Sequence, residues 1–139
     1  TCKSAEIARM IKPAKEGITV STLKEADYFA GVGFSDILYA VSIVPQKLPA
    51  VAALNKNGAD VQVILDHPSA ASAVAEKAAA LGAQFEVWIE IDVDGHRAGL
   101  EPDDPLLVDT GRLVGESKVL NLKGVMTHAD ESYACRSTA

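Results

Sequence analysis

The sequence predicts an α/β fold of about five parallel strands with flanking helices. Three observations carry that prediction. Short β-branched runs alternate with Ala- and Leu-rich stretches throughout the 139 residues. The runs begin at residues 17, 36, 60, 85 and 119, intervals of 19 to 34 residues that suit a strand and a returning helix and are too long for hairpins. Runs such as Ile18-Thr19-Val20, Ile37-Leu38-Tyr39-Ala40-Val41 and Val61-Gln62-Val63-Ile64-Leu65 are short and nearly continuously apolar, as strands covered on both faces are.

Each element has its own signal. Ser4 to Glu16 reads as a leading helix, disturbed at Pro13, which has no N–H to donate. Gly17–Ser21 is the first strand. Thr22-Leu23-Lys24-Glu25 then forms a capping box, in which Thr22 accepts a first-turn N–H and Glu25 reaches back to the cap. Ala26, Phe29 and Ala30 share one face of that helix, and Gly31 or Gly33 ends it. Asp36–Val41 is the second strand. Pro45 to Asn57 places Leu48, Val51, Ala52 and Leu54 at near-helical spacing and stops at Asn57-Gly58. Asp60–Asp66 is the third strand. Ser69 to Gly82 is Ala-rich, with Ala70, Val74, Ala78 and Leu81 on one stripe that permits close packing on a sheet. Phe85–Val93 is the fourth strand. Asp104-Pro105 puts a cap residue before a first-turn proline and opens a helix over Pro105–Gly115. Val119–Thr127 is the fifth strand. A self-contained α/β domain starts with its strand, and this chain starts with a helix. The expectation is an interior piece of something larger.

Composition excludes several classes of function. Hydrophobic residues at 48% against 23% charged describe a chain able to bury a core, not a disordered one. The net charge of −6 comes without any Lys/Arg run, which argues against nucleic acid or an anionic membrane as partner. No apolar run approaches the roughly 20 residues that span a bilayer, and Thr1-Cys2-Lys3-Ser4-Ala5-Glu6 lacks a signal-peptide layout. Cys2 and Cys135 are either two reduced thiols of a cytoplasmic protein or one terminal disulfide; no Cys-x-x-Cys spacing exists. Gly31-Val32-Gly33 ends a helix instead of following a strand, so it is no dinucleotide fingerprint, and neither a Gly-x-Ser-x-Gly elbow nor a P-loop lysine is present.

In α/β proteins the working residues stand at the C-terminal ends of strands. That rule selects Ser21-Thr22, Ser42-Ile43, Asp66-His67, Asp94-Gly95-His96-Arg97 and Thr127-His128-Ala129-Asp130. Gly95 and Gly99 allow a sharp loop around Arg97, whose guanidinium suits a phosphate, carboxylate or phenolate oxygen. The structural alternative is an arginine paired with Asp92 or Asp94. His128 either stacks on an aromatic cofactor, orients the arginine, or is a satisfied histidine at a strand end. His67 reads as a turn residue beside a helix cap and His96 as solvent-facing beside Arg97. A metal site would require His67, His96 and His128 to converge, and no spacing demands it.

The co-linear segments Thr1-Cys2-Lys3-Ser4-Ala5-Glu6-Ile7-Ala8, Gly17-Ile18-Thr19-Val20-Ser21-Thr22-Leu23-Lys24-Glu25-Ala26 and Asp36-Ile37-Leu38 resemble the D-threonine aldolase and D-serine dehydratase family. More widely they resemble the alanine-racemase-type barrel of fold type III pyridoxal-phosphate enzymes. Glu90-Ile91-Asp92-Val93-Asp94-Gly95-His96-Arg97-Ala98-Gly99 is similar to that family's Asp-x-Gly-x-x-Arg-x-Gly element, and Gly124-Val125-Met126-Thr127-His128-Ala129 to its next strand end.

The resemblance implies a partial (β/α)8 TIM-type barrel, with these five strands as the second to sixth of eight. Residues 1–139 would then be a fragment of a pyridoxal-phosphate-binding domain whose first strand, last strands and C-terminal β-domain lie elsewhere. It implies a Schiff-base lysine immediately before Thr1, since Thr1-Cys2-Lys3 matches the end of a Lys-Thr-x-Lys sequence. Lys3 matches the second lysine, which is not the covalent one. Arg97 would contact the phenolic oxygen of the cofactor, His128 would lie beside its ring, and Tyr133 would touch substrate. Family members often read Gly-His-Ser-Tyr where this chain reads Asp130-Glu131-Ser132-Tyr133.

The activity so implied belongs to a whole enzyme. It is aldol cleavage of D-threonine-like β-hydroxy-D-amino acids to glycine and an aldehyde, with D-serine dehydration or racemisation as neighbours. This chain alone is then expected to be inactive. Any divalent metal would belong to the C-terminal domain. A reading of another class is a non-catalytic α/β module that binds a small anion or a partner protein. Strand order should follow chain order, and the open edges predict a homo-oligomer.

Overall fold

Alternation of apolar side chains on short β-branched runs sets the framework. The computed structural model, which describes residues 3–11 and 16–137, pairs five strands, all parallel, in the order of the chain. They are β1 (Ile18–Val20), β2 (Asp36–Ser42), β3 (Asp60–Leu65), β4 (Phe85–Ile91) and β5 (Leu120–Thr127). Helices α1 (Ala5–Ile11), α2 (Leu23–Gly31), α3 (Leu48–Lys56), α4 (Pro68–Leu81) and α5 (Pro105–Glu116) fall between them, with 3-10 turns at Pro45–Lys47 and Asp130–Ala134. Sequential parallel strands with every crossover on one face form a segment of a (β/α)8 barrel wall.

The core lies between the sheet and the helices. Val20, Ile37, Tyr39, Val61, Val63, Leu65, Phe85, Val87 and Leu120 point from the strands into one cluster with Ala26, Phe29, Leu48, Val51, Ala71, Val74, Ala78 and Val114 of the helices. Burying a side chain of this size contributes about 1.5–3 kcal/mol over leaving it exposed. The alternate strand residues face the other way. There the Trp88 indole N–H donates to Gln62 Oε1 at 2.7 Å, and the Gln62 amide donates to Asp36 at 2.9 Å and Asp60 at 3.2 Å. Ile64 is fully buried on that inner face without belonging to the helix-side cluster.

The expected helix signals operate, with shifted limits. Thr22 Oγ1 accepts the Glu25 N–H at 3.1 Å, while Glu25 Oε2 accepts from Ser21 at 2.9 Å and Thr22 at 3.1 Å. Lys3 adds an ion pair to Glu25 at 2.9 Å. The helix expected from Ser69 begins at Pro68, because the His67 ring accepts the Ser69 N–H at 3.2 Å and caps it. Its buried residues are Ala71, Val74 and Ala78; Val74 and Ala78 are as expected, while Ala70 is only partly buried and Leu81 is exposed. Asp104 caps α5 by accepting the Leu106 N–H at 2.8 Å. The helix expected from Pro45 opens instead as a 3-10 turn, and the leading helix is described over Ala5–Ile11. Pro13, Thr1 and Cys2 lie outside the described residues. Cys135 is a free, exposed thiol. No helix among the described residues is long and apolar enough to cross a membrane.

Candidate functional site

Chemistry collects at the C-terminal ends of β4 and β5. Beyond Ile91 the chain turns on Asp92, whose carboxylate is 7% exposed. Its Oδ1 accepts the N–H of Asp94 at 3.1 Å and of Gly95 at 3.0 Å, and its Oδ2 accepts that of Arg97 at 2.8 Å. Burial pushes this carboxyl up, but the three backbone donors outweigh it and hold the carboxyl below its usual value. The loop returns to the strand through Leu100. Its N–H donates to the Glu90 carbonyl at 3.1 Å and its carbonyl accepts from Asp92 at 2.9 Å. Gly99 makes this crossing with φ +113°, a region L side chains rarely enter.

Arg97 does not pair with Asp92 or Asp94 through its side chain. Its guanidinium donates to Asp130 Oδ2 at 3.0 Å, on the 3-10 turn that follows β5. The loop and the turn are joined twice more. Asp94 Oδ2 accepts the Glu131 N–H at 3.2 Å, and His96 Nε2 lies 3.7 Å from Asp130 Oδ1. Burial raises the Asp130 carboxyl, while the hydrogen bond from Arg97 and the charges of Arg97 and His96 hold it low overall. The His96 ring bonds to the Asp94 carbonyl at 2.9 Å, which, with the nearby Asp130, Asp94 and Glu131 charges, raises its affinity for a proton.

His128 is exposed, and among the described residues it forms no hydrogen bond or ion pair with Arg97 or Asp130. Its Nε2 meets the Tyr133 hydroxyl at 3.3 Å, and the two rings stand edge to face with centroids 6.0 Å apart. Tyr133 is 72% exposed. Behind these residues, on the inner face of β4, Glu90 is 7% exposed. Burial and the Asp66 charge push its carboxyl up, more than Arg97 and His128 pull it down. The Ser42 hydroxyl at the end of β2 is buried without a hydrogen-bond partner. Sequence reasoning singled out Arg97, His128, Tyr133 and Ser42. It missed Glu90, the second acid of β4 after Glu86, and Asp130 as the partner of Arg97.

The three histidines do not converge. His67 caps α4, and the metal-ligating types that gather among the described residues are Asp94, His96 and Asp130, with ligand atoms within 4.8 Å of one another. The Arg97 cation pairs with Asp130 Oδ2 at 3.0 Å, while Asp130 Oδ1 is buried without a hydrogen-bond partner among the described residues and lies 3.7 Å from His96 Nε2.

The family described as "Alanine racemase, N-terminal domain" matches residues 2–138. D-threo-3-hydroxyaspartate dehydratase of Delftia sp. is 48% identical over 135 residues, which is 96% of this chain and 35% of that protein. D-threonine aldolase of Arthrobacter sp. is 29% identical, over 99% of this chain and 39% of that protein. The crystal structure of an alanine-racemase-like protein from Idiomarina loihiensis superposes with a TM-score of 0.86 and 43% identity, over 95% of this chain and 35% of that one. The chain thus spans about a third of the length of the relatives it matches.

Proposed function

The chain belongs to the alanine racemase N-terminal domain family, and we propose that it is the cofactor-binding barrel segment of a pyridoxal-phosphate enzyme that eliminates water from a 3-hydroxy-D-aspartate-type amino acid. The observation that carries this reading is 48% identity, over 96% of the chain, to a protein named for that dehydration. In this reading residues 1–139 supply the second to sixth strands of an eight-stranded barrel, within a longer, cytoplasmic, homo-oligomeric polypeptide. The lysine that carries the cofactor stands immediately before Thr1. Lys3 supports that placement, since its amine is engaged by Glu25 at 2.9 Å.

The strand ends fit the cofactor. Asp130 is the only hydrogen-bond partner of the Arg97 guanidinium among the described residues, so donors of its planar fork remain for a phenolate oxygen. The exposed His128 ring offers a flat neighbour for a heteroaromatic face, and the unpartnered Ser42 hydroxyl offers a buried donor. Pyridoxal phosphate bound there supplies an electron sink for the bond broken at the substrate Cα. Arg97 would fix the phenolic edge, His128 would flank the ring, and Tyr133 would present its hydroxyl to substrate. A divalent metal, in this reading, belongs to a C-terminal domain and not to Asp94, His96 and Asp130.

Products decide the reaction. The complete polypeptide, given D-threo-3-hydroxyaspartate, should release ammonia and a four-carbon 2-oxo acid in equal amounts. Glycine and an aldehyde, from this substrate or from D-threonine, would replace dehydration by aldol cleavage. That second reading draws on the match to D-threonine aldolase over 99% of the chain. Neither product set, together with no bound pyridoxal phosphate, would leave the non-catalytic anion- or protein-binding module in its place.

A further inference from the structure

We propose that Asp92 is the positioning residue of this site: its carboxylate folds the β4–α5 loop around itself and so fixes where Arg97 leaves the main chain. The proposal rests on the reading of Arg97 as a cofactor contact. Three N–H groups of one short loop, those of Asp94, Gly95 and Arg97, converge on the two oxygens of a nearly buried side chain at 2.8–3.1 Å. No other side chain bonds to those N–H groups among the described residues. The bond to Arg97 comes from its main chain, so Asp92 sets the backbone while Asp130 holds the guanidinium, at 3.0 Å. The base of the loop is pinned, because Leu100 bonds to both Glu90 and Asp92.

The arrangement requires a carboxylate, not merely a side chain of that shape. Asparagine has one acceptor oxygen. If that oxygen faces Asp94 and Gly95, its NH2 meets the Arg97 N–H donor to donor; if flipped, it fails the other pair. Asp92→Asn should therefore release the loop at one end while keeping the volume.

The test is the affinity of the complete polypeptide for added pyridoxal phosphate, followed by absorbance, in wild type, Asp92→Asn, Arg97→Ala and the double variant. Arg97→Ala should bind the cofactor roughly ten- to a hundredfold more weakly, as loss of a charge-assisted hydrogen bond predicts. Asp92→Asn should weaken it about tenfold in wild type and hardly at all in the Arg97→Ala background. An equal loss in both backgrounds would overturn the proposal, because Asp92 would then act without Arg97. An unchanged affinity in Arg97→Ala would overturn the cofactor-contact reading itself. Amide exchange over residues 92–100 of the cofactor-free wild type gives a check that needs no variant to fold. Slow exchange at Asp94, Gly95 and Arg97 is expected, and exchange at the rate of a free chain would reject the role of Asp92 whatever Arg97 does.

Discussion

Replacing Gly99 with alanine tests the tightest crossing in the molecule. Its φ of +113° lies outside the conformations L residues adopt readily, which costs about 1–3 kcal/mol. The added β-carbon would also sit 2.6 Å from Asp92 N, 2.8 Å from Ile91 C and 2.9 Å from Glu90 O. All three are backbone atoms of the end of β4, so no flexible side chain can swing aside, and relieving such overlap costs about a further 1–3 kcal/mol. The expected loss is therefore roughly 2–6 kcal/mol. Urea denaturation of the complete polypeptide reads it as a lower midpoint at an unchanged slope. Gly115→Ala is the control. It lies in α5 with nothing within 4 Å of the new carbon, and should stabilise by about 0.5–1 kcal/mol. If Gly99→Ala proves as stable as wild type, the path drawn for residues 91–100 is wrong, and with it the seating of Arg97.

Three other outcomes are expected. Glu25 has its carboxyl lowered, first by Lys3 and then by the Ser21 N–H. Its contribution is complete above the unfolded value and fades as pH falls through the folded one, so Glu25→Gln should lower stability at neutral pH and flatten the acid limb of a midpoint-against-pH plot. Glu90 has its carboxyl raised by burial, so stability should fall as pH climbs from the unfolded value through the folded one; Glu90→Gln should be more stable than wild type above that window and lack the slope. The 139-residue chain by itself leaves Leu122 44% and Val125 56% exposed on the edge strand β5, and light scattering at rising concentration should show association; a single monomeric species throughout would contradict an open barrel wall.

Much of this architecture can be read before folding. The Thr22–Glu25 box, the Asp104-Pro105 start and the turn at Gly82 are local chemistry, and each forms as its residues dictate. Strand spacing with right-handed crossovers is enough to order the sheet. The errors fall where long-range contact overrides local pattern. In α4 the expected Val74 and Ala78 are buried, but Ala71 takes the place of Ala70, because Ala is equally compatible with either position and only the sheet beneath chooses. Arg97 chose Asp130, 33 residues away, over the nearby Asp92 and Asp94, since those two carboxylates were already taken by backbone N–H groups. Glu86 and Glu90 share one face of β4 by alternation, and nothing local says that Glu90 is the nearly buried one of the two.

The two hydrogen bonds that join the β4 loop to the turn after β5, with His96 3.7 Å from Asp130, make these two segments a single inheritable unit. Asp130 holds Arg97, and Asp94 holds the Glu131 N–H. A glycine at position 130 would leave the guanidinium without its carboxylate. Loops transplanted between such proteins should therefore be moved as a pair. A chimera that takes residues 92–100 from one parent and 128–134 from another would inherit an arginine tuned to a neighbour it no longer has.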